Sequence, residues 1–409
     1  TPIKSSAASD VYKRQILSLV CANIVGYVEL CIIARNYLPA LNMIELTFLE
    51  IIVIFIWVFV CRMMYRKFYP PRHLLLVYGY KTPTEFIDKI NARKDKYIIA
   101  DRIHVSEGEK ALKEKILQYD GIILCETKAY IRNELVKYCF EHSIRSYVVP
   151  KLSDIIILGA EPIHLFDTPL LLSRNQGLTG EDMIFKRLMD IIVSLIMIII
   201  FSQFMILIAL AIKLYDRGPV FYKQDRLTLN GRVFKIMKFR SMRMDSEEHG
   251  AQLARKHDDR ITPVGRVIRA THLDELPQLF NILKGDMSVV GPRPERPEIA
   301  AQYRETFPEF DYRLKMKAGL TGYAQVYGKY NTTPRDKVKL DLTYYEQYSL
   351  WLDLKLILLT FKILFQKENT EGIDANQTTA IREDKTKKTG IKHPHDEAED
   401  AFYSVEEKK

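Results

Sequence analysis

LMDIIVSLIMIIIFSQFMILIALAI, residues 188–212, is the stretch whose reading decides the fold class. It is longer than the roughly 20 apolar residues that carry a helix across a bilayer. Basic residues flank both ends, Lys186 and Arg187 before it and Lys213, Arg217, Lys223 and Arg226 after it. Lys and Arg mark the cytoplasmic side of a membrane segment, so a run that is basic at both ends predicts a helix entering and leaving on that face. Ser202-Gln203 offers a polar break near the middle, and Asp190 at the start is costly inside lipid. The pattern predicts a re-entrant membrane helix over 188–212 rather than a full crossing.

Two further apolar runs lie upstream, at 16–34 and 44–61. Their connector, Asn36 to Asn42, has no Lys or Arg, whereas Lys13 and Arg14 precede the pair and Arg62, Arg66, Lys67 and Arg72 follow it. The same rule predicts a transmembrane helical hairpin over 15–66 with both ends in the cytoplasm. Three such runs exclude an ordinary soluble protein. Residues 1–14, which open on Thr1, read as a non-native leader or a fragment start outside the fold.

Lys and Arg number 60 against 51 Asp and Glu, a net charge of +9. By itself that excess suits nucleic acid, anionic lipid or an anionic substrate. With the membrane runs present, lipid and substrate account for it and no nucleic-acid partner is expected. Cys21, Cys31 and Cys61 lie in the first two runs and Cys125 and Cys139 beyond them, with no C-x-x-C pair. That is neither a disulfide framework nor a zinc site, and it fits a reducing compartment.

Downstream of the hairpin the pattern alternates. Strand-like Leu74–Tyr78, Tyr97–Ala100, Gly121–Cys125 and Ser146–Val149 are separated by helical segments such as Thr84–Arg93 and Lys128–His142. This is the signature of βαβ units on a parallel sheet, a Rossmann-like α/β domain over 73–165 followed by a linker at 166–184. The first strand-to-helix turn, VYGYKTPTEF, carries Gly79 alone, so no dinucleotide cofactor is expected there. A β-hairpin is predicted from Val220–Arg226 and Arg232–Arg240 around Asn230-Gly231. Trp351–Phe365 reads as an interfacial amphipathic helix, and the polar, charge-rich 367–409 as a disordered tail.

RVIRATHLDELPQLFNILKGDMSVVGPRPERP, residues 266–297, is densest in reactive groups. The adjacent carboxylates Asp274 and Glu275 are surrounded in sequence by Arg260, Arg266, Arg269, Arg293 and Arg296. Arginine forks grip phosphoryl oxygens, and a carboxylate can hold Mg²⁺ or attack phosphorus, so the combination points to phosphate chemistry. Prolines on both sides of Arg293 restrict the backbone that aims it. Lys238 and Arg240, at the end of the predicted hairpin, add positive charge.

Structural roles compete with these assignments. Thr271 to Asp274 matches a helix capping box. Pro277 opposes that reading: it biases Leu276 away from helical angles and fits the first helical position, leaving both carboxylates just outside a positive helix end. The arginines also suit anionic headgroups. His272 reads as a surface or capping residue and is left out of the site. Composition and spacing alone lead to a membrane-associated enzyme acting on phosphate esters.

KFRSM (238–242), LDELPQLFNILKGDMSVVGPRPERP (273–297) and KAGLTGYAQVYGK (317–329) resemble the bacterial sugar transferase family, the monotopic phosphoglycosyl transferases that start exopolysaccharide, capsule and O-antigen assembly. The similarity spans Phe185 to Phe365, and a phosphoglycosyl transferase domain is expected over 185–366. The layout before it resembles the larger polyprenyl glycosylphosphotransferases of that family. Taken together, the chain reads as an α/β membrane protein: transmembrane hairpin, Rossmann-like domain without a cofactor motif, then an α+β catalytic domain with a re-entrant helix.

The resemblance implies transfer of sugar-1-phosphate from a UDP-sugar to undecaprenyl phosphate with release of UMP, on the cytoplasmic face of the bacterial inner membrane. It implies that Asp274 is the nucleophile, forming an aspartyl-phosphosugar intermediate, and that Glu275 helps hold Mg²⁺. Arg269 and Arg293 match family arginines that contact phosphates, and Lys238 and Arg240 are expected substrate contacts. A homo-oligomer is compatible with this reading. Two departures stand out: Ser202 is followed by Gln203 where the family has Ser-Pro, and two N-terminal helices stand where larger relatives have four, which implies an N-terminally truncated fragment. Two rival readings are a nucleotide-sugar oxidoreductase or epimerase, opposed by the lone Gly79, and a non-enzymatic regulator or scaffold of polysaccharide assembly, opposed by the intact carboxylates and arginines.

Overall fold

The computed structural model describes residues 6–37, 39–79, 83–91, 96–173, 178–243, 260–328 and 332–364. The chain divides into two units, Thr1–Val149 and Pro150–Lys409. The first opens on helices α1 (Ser6–Ala34) and α2 (Ala40–Phe68). Helix α1 continues back to Ser6 through residues expected to form a leader outside the fold, and neither Pro nor Gly interrupts it before Gly26. Ala40–Tyr65 is long and apolar enough to cross a membrane, and Ser18–Ala34 is a shorter apolar helix. The Asn23 amide joins the two, donating to Glu50 Oε2 at 2.6 Å and to Thr47 Oγ1 at 3.0 Å. Such polar pairs hold apolar helices together in lipid.

Strands β1 (Arg72–Tyr78), β2 (Tyr97–His104), β3 (Gly121–Cys125) and β4 (Arg145–Val148) form a parallel sheet in the order β2-β1-β3-β4. Helices α3 (Thr84–Asn91), α4 (Glu109–Ile116) and α5 (Ala129–Glu141) connect them. The two central strands are buried over Leu74–Val77 and Gly121–Cys125, which is why they read as continuous apolar runs. Leu75, Val77 and Ile122 pack with Leu112 and Leu135 on one face, while Leu74, Leu76 and Ile123 pack with Ile87 and Ile90 on the other. Gly79 has a packing role: a Cβ there would come within 2.5 Å of the Glu126 carbonyl oxygen.

The division at Val149–Pro150 falls earlier than the expected boundary at 165. The cause is α6 (Leu152–Leu158), whose Ile155 buries among Leu227, Ala300, Phe310 and Val338 of the second unit. In that unit β5 (Glu161–Leu165) and β6 (Thr168–Leu172) pair antiparallel, the latter inside the stretch expected to be a linker.

Helix α7 (Gly180–Asp216) is a single helix of 37 residues, about 55 Å at 1.5 Å per residue. Lys186, Asp190, Ser194, Met205, Ile208 and Ile212 form one buried stripe along it, while Ile192, Ile196, Ile199, Leu207 and Leu210 are exposed. The anticipated polar break falls inside this helix, where the Ser202 hydroxyl donates back to the Ile199 carbonyl at 2.9 Å. Strands β7 (Phe221–Leu227) and β8 (Val233–Phe239) form the predicted hairpin one residue further along at the first strand's start. Asn230 (φ 57) and Gly231 (φ 74) take the positive φ angles that Asn-Gly favours.

There follow α8 (Pro263–Ala270), α9 (Gln278–Lys284), β9 (Ser288–Val290), α10 (Pro297–Thr306), β10 (Gly319–Thr321), α11 (Tyr323–Tyr327), α12 (Pro334–Glu346) and α13 (Leu350–Leu364). Strand β9 pairs parallel with β10. Met205, Ile208 and Ile212 of α7 join Phe234, Phe239, Ile268, Leu279 and Val290 in one core. Helix α13 exposes Trp351 and buries Asp353 and Leu356. The polar tail at 367–409 lies outside the described residues.

The polar residues of α7 turn inward to protein. Lys186 Nζ donates to Asp353 Oδ2 at 2.7 Å and to Tyr344 Oη at 3.0 Å. Asp190 Oδ1 accepts from Ser288 Oγ at 2.9 Å and from the Val289 amide at 2.8 Å. Arg187 donates to the Ile282 and Leu283 carbonyls, both at 2.6 Å, and so caps the end of α9. Asp190, costly in lipid, is thus satisfied within the fold. Lys186 and Asp353 keep side-chain exposures of only 7% and 0%, so Lys186→Met should strand the carboxylate and destabilise the unit by about 3–5 kcal/mol. Thermal unfolding in detergent checks this, and Lys186→Met with Asp353→Leu should recover most of the loss.

Candidate functional site

Helix α8 starts at Thr262, whose Oγ1 accepts from the Gly265 amide at 2.9 Å, and ends at Thr271. Thr271 turns its hydroxyl back to the Val267 carbonyl at 3.0 Å, so it closes one helix and does not cap the next. The capping-box alternative is absent here. Leu273–Glu275 then form a single 3₁₀ turn, and Pro277 occupies the position just before the first residue of α9, one earlier than expected. Leu276 takes helical angles (φ −52, ψ −37) despite the following proline. The carboxylates therefore stand on a tight turn between two helices, just before the one Pro277 begins.

The structure brings four of the six expected site residues together and places a fifth beside them. Glu275 Oε1 accepts from Lys238 Nζ at 2.7 Å and from Arg293 Nη2 at 3.0 Å. Lys238 arrives from the end of β8 and Arg293 from the loop after β9. Their charges hold the Glu275 carboxyl well below the usual carboxylate range despite its burial. Burial, with the Glu275 charge second, pushes Asp274 up to about 6, against the pull of Lys238, Arg269 and Arg293. Arg269, half-buried in the last turn of α8, acts on Asp274 through its charge.

Arg240 is placed elsewhere. Its buried guanidinium pairs with Asp216 at the end of α7, and a Cβ at Gly218 would collide with it. It ties the end of α7 to the hairpin rather than facing the carboxylates.

Two arginines that sequence reasoning leaves unassigned hold the Arg293 loop. Arg313 Nη2 donates to the Arg293 carbonyl and Arg226 Nη1 to the Pro294 carbonyl, both at 3.0 Å. The Gly319 amide donates to Pro292 O at 2.9 Å and the Leu227 amide to Glu295 O at 3.0 Å. Each carbonyl from Pro292 to Glu295 thus has a partner, and the guanidinium of Arg293 projects from a fixed loop. Arg313 also pairs with Asp341 at 3.0 Å with both side chains nearly buried. Burial pushes Asp341 up to about 6, opposed by Arg313, and pushes Arg226 down to about 10. Nothing local marks Arg226 or Arg313; their partners lie 68 and 20 residues away.

No group of three or more Asp, Glu, His or Cys able to hold a metal occurs among the described residues. The pair does fit Mg²⁺, which commonly takes one or two carboxylates and completes its shell with phosphate oxygens and water. Both contacts of Glu275 fall on Oε1, leaving Oε2 for such an ion.

Residues 181–367 match the family model for bacterial sugar transferase. The UDP-glucose:undecaprenyl-phosphate glucose-1-phosphate transferase of Klebsiella pneumoniae is 42% identical over 209 residues, 50% of this chain and 43% of that protein. A UDP-N-acetylgalactosamine-undecaprenyl-phosphate N-acetylgalactosaminephosphotransferase of Aeromonas hydrophila is 44% identical over 182 residues, 44% of this chain and 43% of that protein. A shorter relative from Caulobacter vibrioides, bearing the same name as the Klebsiella protein, is 40% identical over 189 residues and is covered over 71% of its length. The chain spans less than half the length of the first two relatives.

The electrostatics make one prediction independent of any substrate. Glu275→Gln removes the charge that adds to burial in raising Asp274 and frees Lys238 and Arg293 to lower it. The titration of Asp274, followed by carboxyl ¹³C NMR, should move down from about 6 toward the ordinary carboxylate range. An unmoved titration would show that Glu275 does not set it.

Proposed function

Because this chain belongs to the bacterial sugar transferase family, we propose that it transfers sugar-1-phosphate from a UDP-sugar to undecaprenyl phosphate at the inner membrane. The observation that carries the reading is the unequal pair: Glu275 held ionised by Lys238 and Arg293, with Asp274 beside it and free of those ion pairs. The Asp274 carboxylate attacks the phosphorus that bears the sugar. The bond from that phosphorus to the UMP phosphate breaks, UMP leaves with the electron pair, and an aspartyl-phosphosugar remains. A phosphate oxygen of undecaprenyl phosphate then attacks the same phosphorus, and the Asp274 carboxylate is released.

Mg²⁺ held at Glu275 would neutralise diphosphate charge. In this reading Arg293 and Arg269 contact phosphoryl oxygens; the carbonyl clamp on the Arg293 loop supports the role of Arg293, since it spares the reorganisation that a flexible arginine would require. Arg313 and Arg226 serve by positioning that loop.

A re-entrant seat for α7 is supported by its stripe, which packs against one domain from Lys186 to Ile212. In this seat both ends of the helix stay on the side of the membrane where their domain lies. Its exposed Ile and Leu face then meets lipid while the carboxylates stay on the cytoplasmic side. The +9 net charge suits an anionic membrane surface.

Asp274→Asn should abolish UMP release from a UDP-sugar supplied with undecaprenyl phosphate, without lowering thermal stability. Substantial release by that variant would remove Asp274 as the nucleophile. Asp274 acts ionised, so the wild-type rate should rise with pH through about 6 and level off above it; a rate flat down to pH 5 would contradict the assignment. In a background without the five native cysteines, Ile184→Cys and Leu214→Cys should each react only with reagent on the cytoplasmic side. Periplasmic labelling of either would rule out the re-entrant seat.

A further inference from the structure

His272 follows the C-terminal residue cap of α8 and adopts left-handed angles, φ 57 and ψ 15. Helices commonly place Gly, or Asn, at this position because a Cβ crowds the backbone there. The backbone of His272 is fully used: its amide donates to Arg269 O and its carbonyl accepts from the Glu275 amide, both at 3.2 Å. Its side chain makes no hydrogen bond among the described residues, and its Nδ1 is buried without a partner there. An imidazole at a glycine position, with an orphaned nitrogen, costs stability and returns no cap or bond.

The location gives the ring another use. His272 stands two residues before Asp274 and within electrostatic reach of Glu275, Lys238 and Arg293. Lys238 and Arg293 each donate to Glu275 Oε1, so a neutral donor beside them would add a contact to a diphosphate that their charges already attract. An orphaned acceptor costs less than an orphaned donor, which favours the lone pair on buried Nδ1 and the proton on Nε2.

We propose that His272 is a substrate-contacting residue, its imidazole donating a hydrogen bond to a phosphoryl oxygen of the nucleotide-sugar diphosphate at Asp274. This rests on the transfer reading above. It makes His272 one of those functional positions at which local strain is retained for chemistry.

The test sets stability against activity in the full chain, using UDP-glucose as the probe. His272→Gly removes the ring and relieves the left-handed backbone, so its thermal midpoint should equal or exceed that of wild type. Its turnover should fall at least tenfold, and the rise in midpoint caused by UDP-glucose should shrink. His272→Asn, which tolerates the backbone angles and keeps an N–H donor, should recover part of both. A His272→Gly variant that turns over and gains midpoint with UDP-glucose like wild type would overturn the proposal. Loss of turnover only in step with lost stability would do the same. If wild type itself released no UMP, the transfer reading would fail on that result, while the UDP-glucose shift in wild type and His272→Gly would still decide the contact.

Discussion

Two neighbouring carboxylates in a half-buried turn repel each other, and neither is well solvated, so the protein must decide which one carries charge. Lys238 and Arg293 decide it by converging on one oxygen of Glu275. Burial, and then that fixed charge, push Asp274 upward, and it stays outside the ion pairs. The asymmetry separates a group held charged by two cations from one outside the ion pairs, a difference that adjacent acids cannot reach through sequence position alone. The rest of the second unit is arranged around it. The β7–β8 hairpin delivers Lys238, the turn between α8 and α9 presents the pair, and the loop after β9 supplies Arg293.

Rigidity in that arrangement comes from groups that never touch the carboxylates. Arg313 and Arg226 reach from distant elements to the carbonyls of Arg293 and Pro294. Asp190 of α7 fixes β9, through Ser288 and Val289, just before that loop. Arg187 holds the far end of α9 through two carbonyls. The apolar helix α7 thus also braces the elements around the turn that carries the carboxylates. Its inward polar stripe and outward apolar face are two aspects of one requirement, since polar side chains at a lipid boundary need partners inside the protein.

Much of this arrangement is legible in the amino-acid sequence, for physical reasons that also mark the limits. The two central strands of the parallel sheet are readable because strands buried on both faces are continuous apolar runs, as in Leu74–Val77 and Gly121–Cys125. The hairpin is readable because Asn230-Gly231 accepts positive φ. Asp274, Glu275 and Arg293 stand out by residue type and density. Local sequence cannot show that Arg240 pairs with Asp216 rather than facing the site, nor that Arg226 serves a loop 68 residues away. The influence of Pro277 on Leu276 is overridden by the tight turn. His272 resembles a cap residue in sequence because the cost of its backbone angle is invisible until the angle is known.

The central claim is that Asp274, and not its more strongly charged neighbour, becomes covalently bonded to the transferred phosphosugar. The most direct measurement is mass spectrometry of protein quenched after UDP-glucose is added without lipid acceptor, followed by trypsin digestion. The peptide ATHLDELPQLFNILK, residues 270–284, should carry the added hexose phosphate, with fragmentation placing it on Asp274. The same mass found on Glu275 or on another peptide, or UMP released with no adduct at all, would contradict the claim.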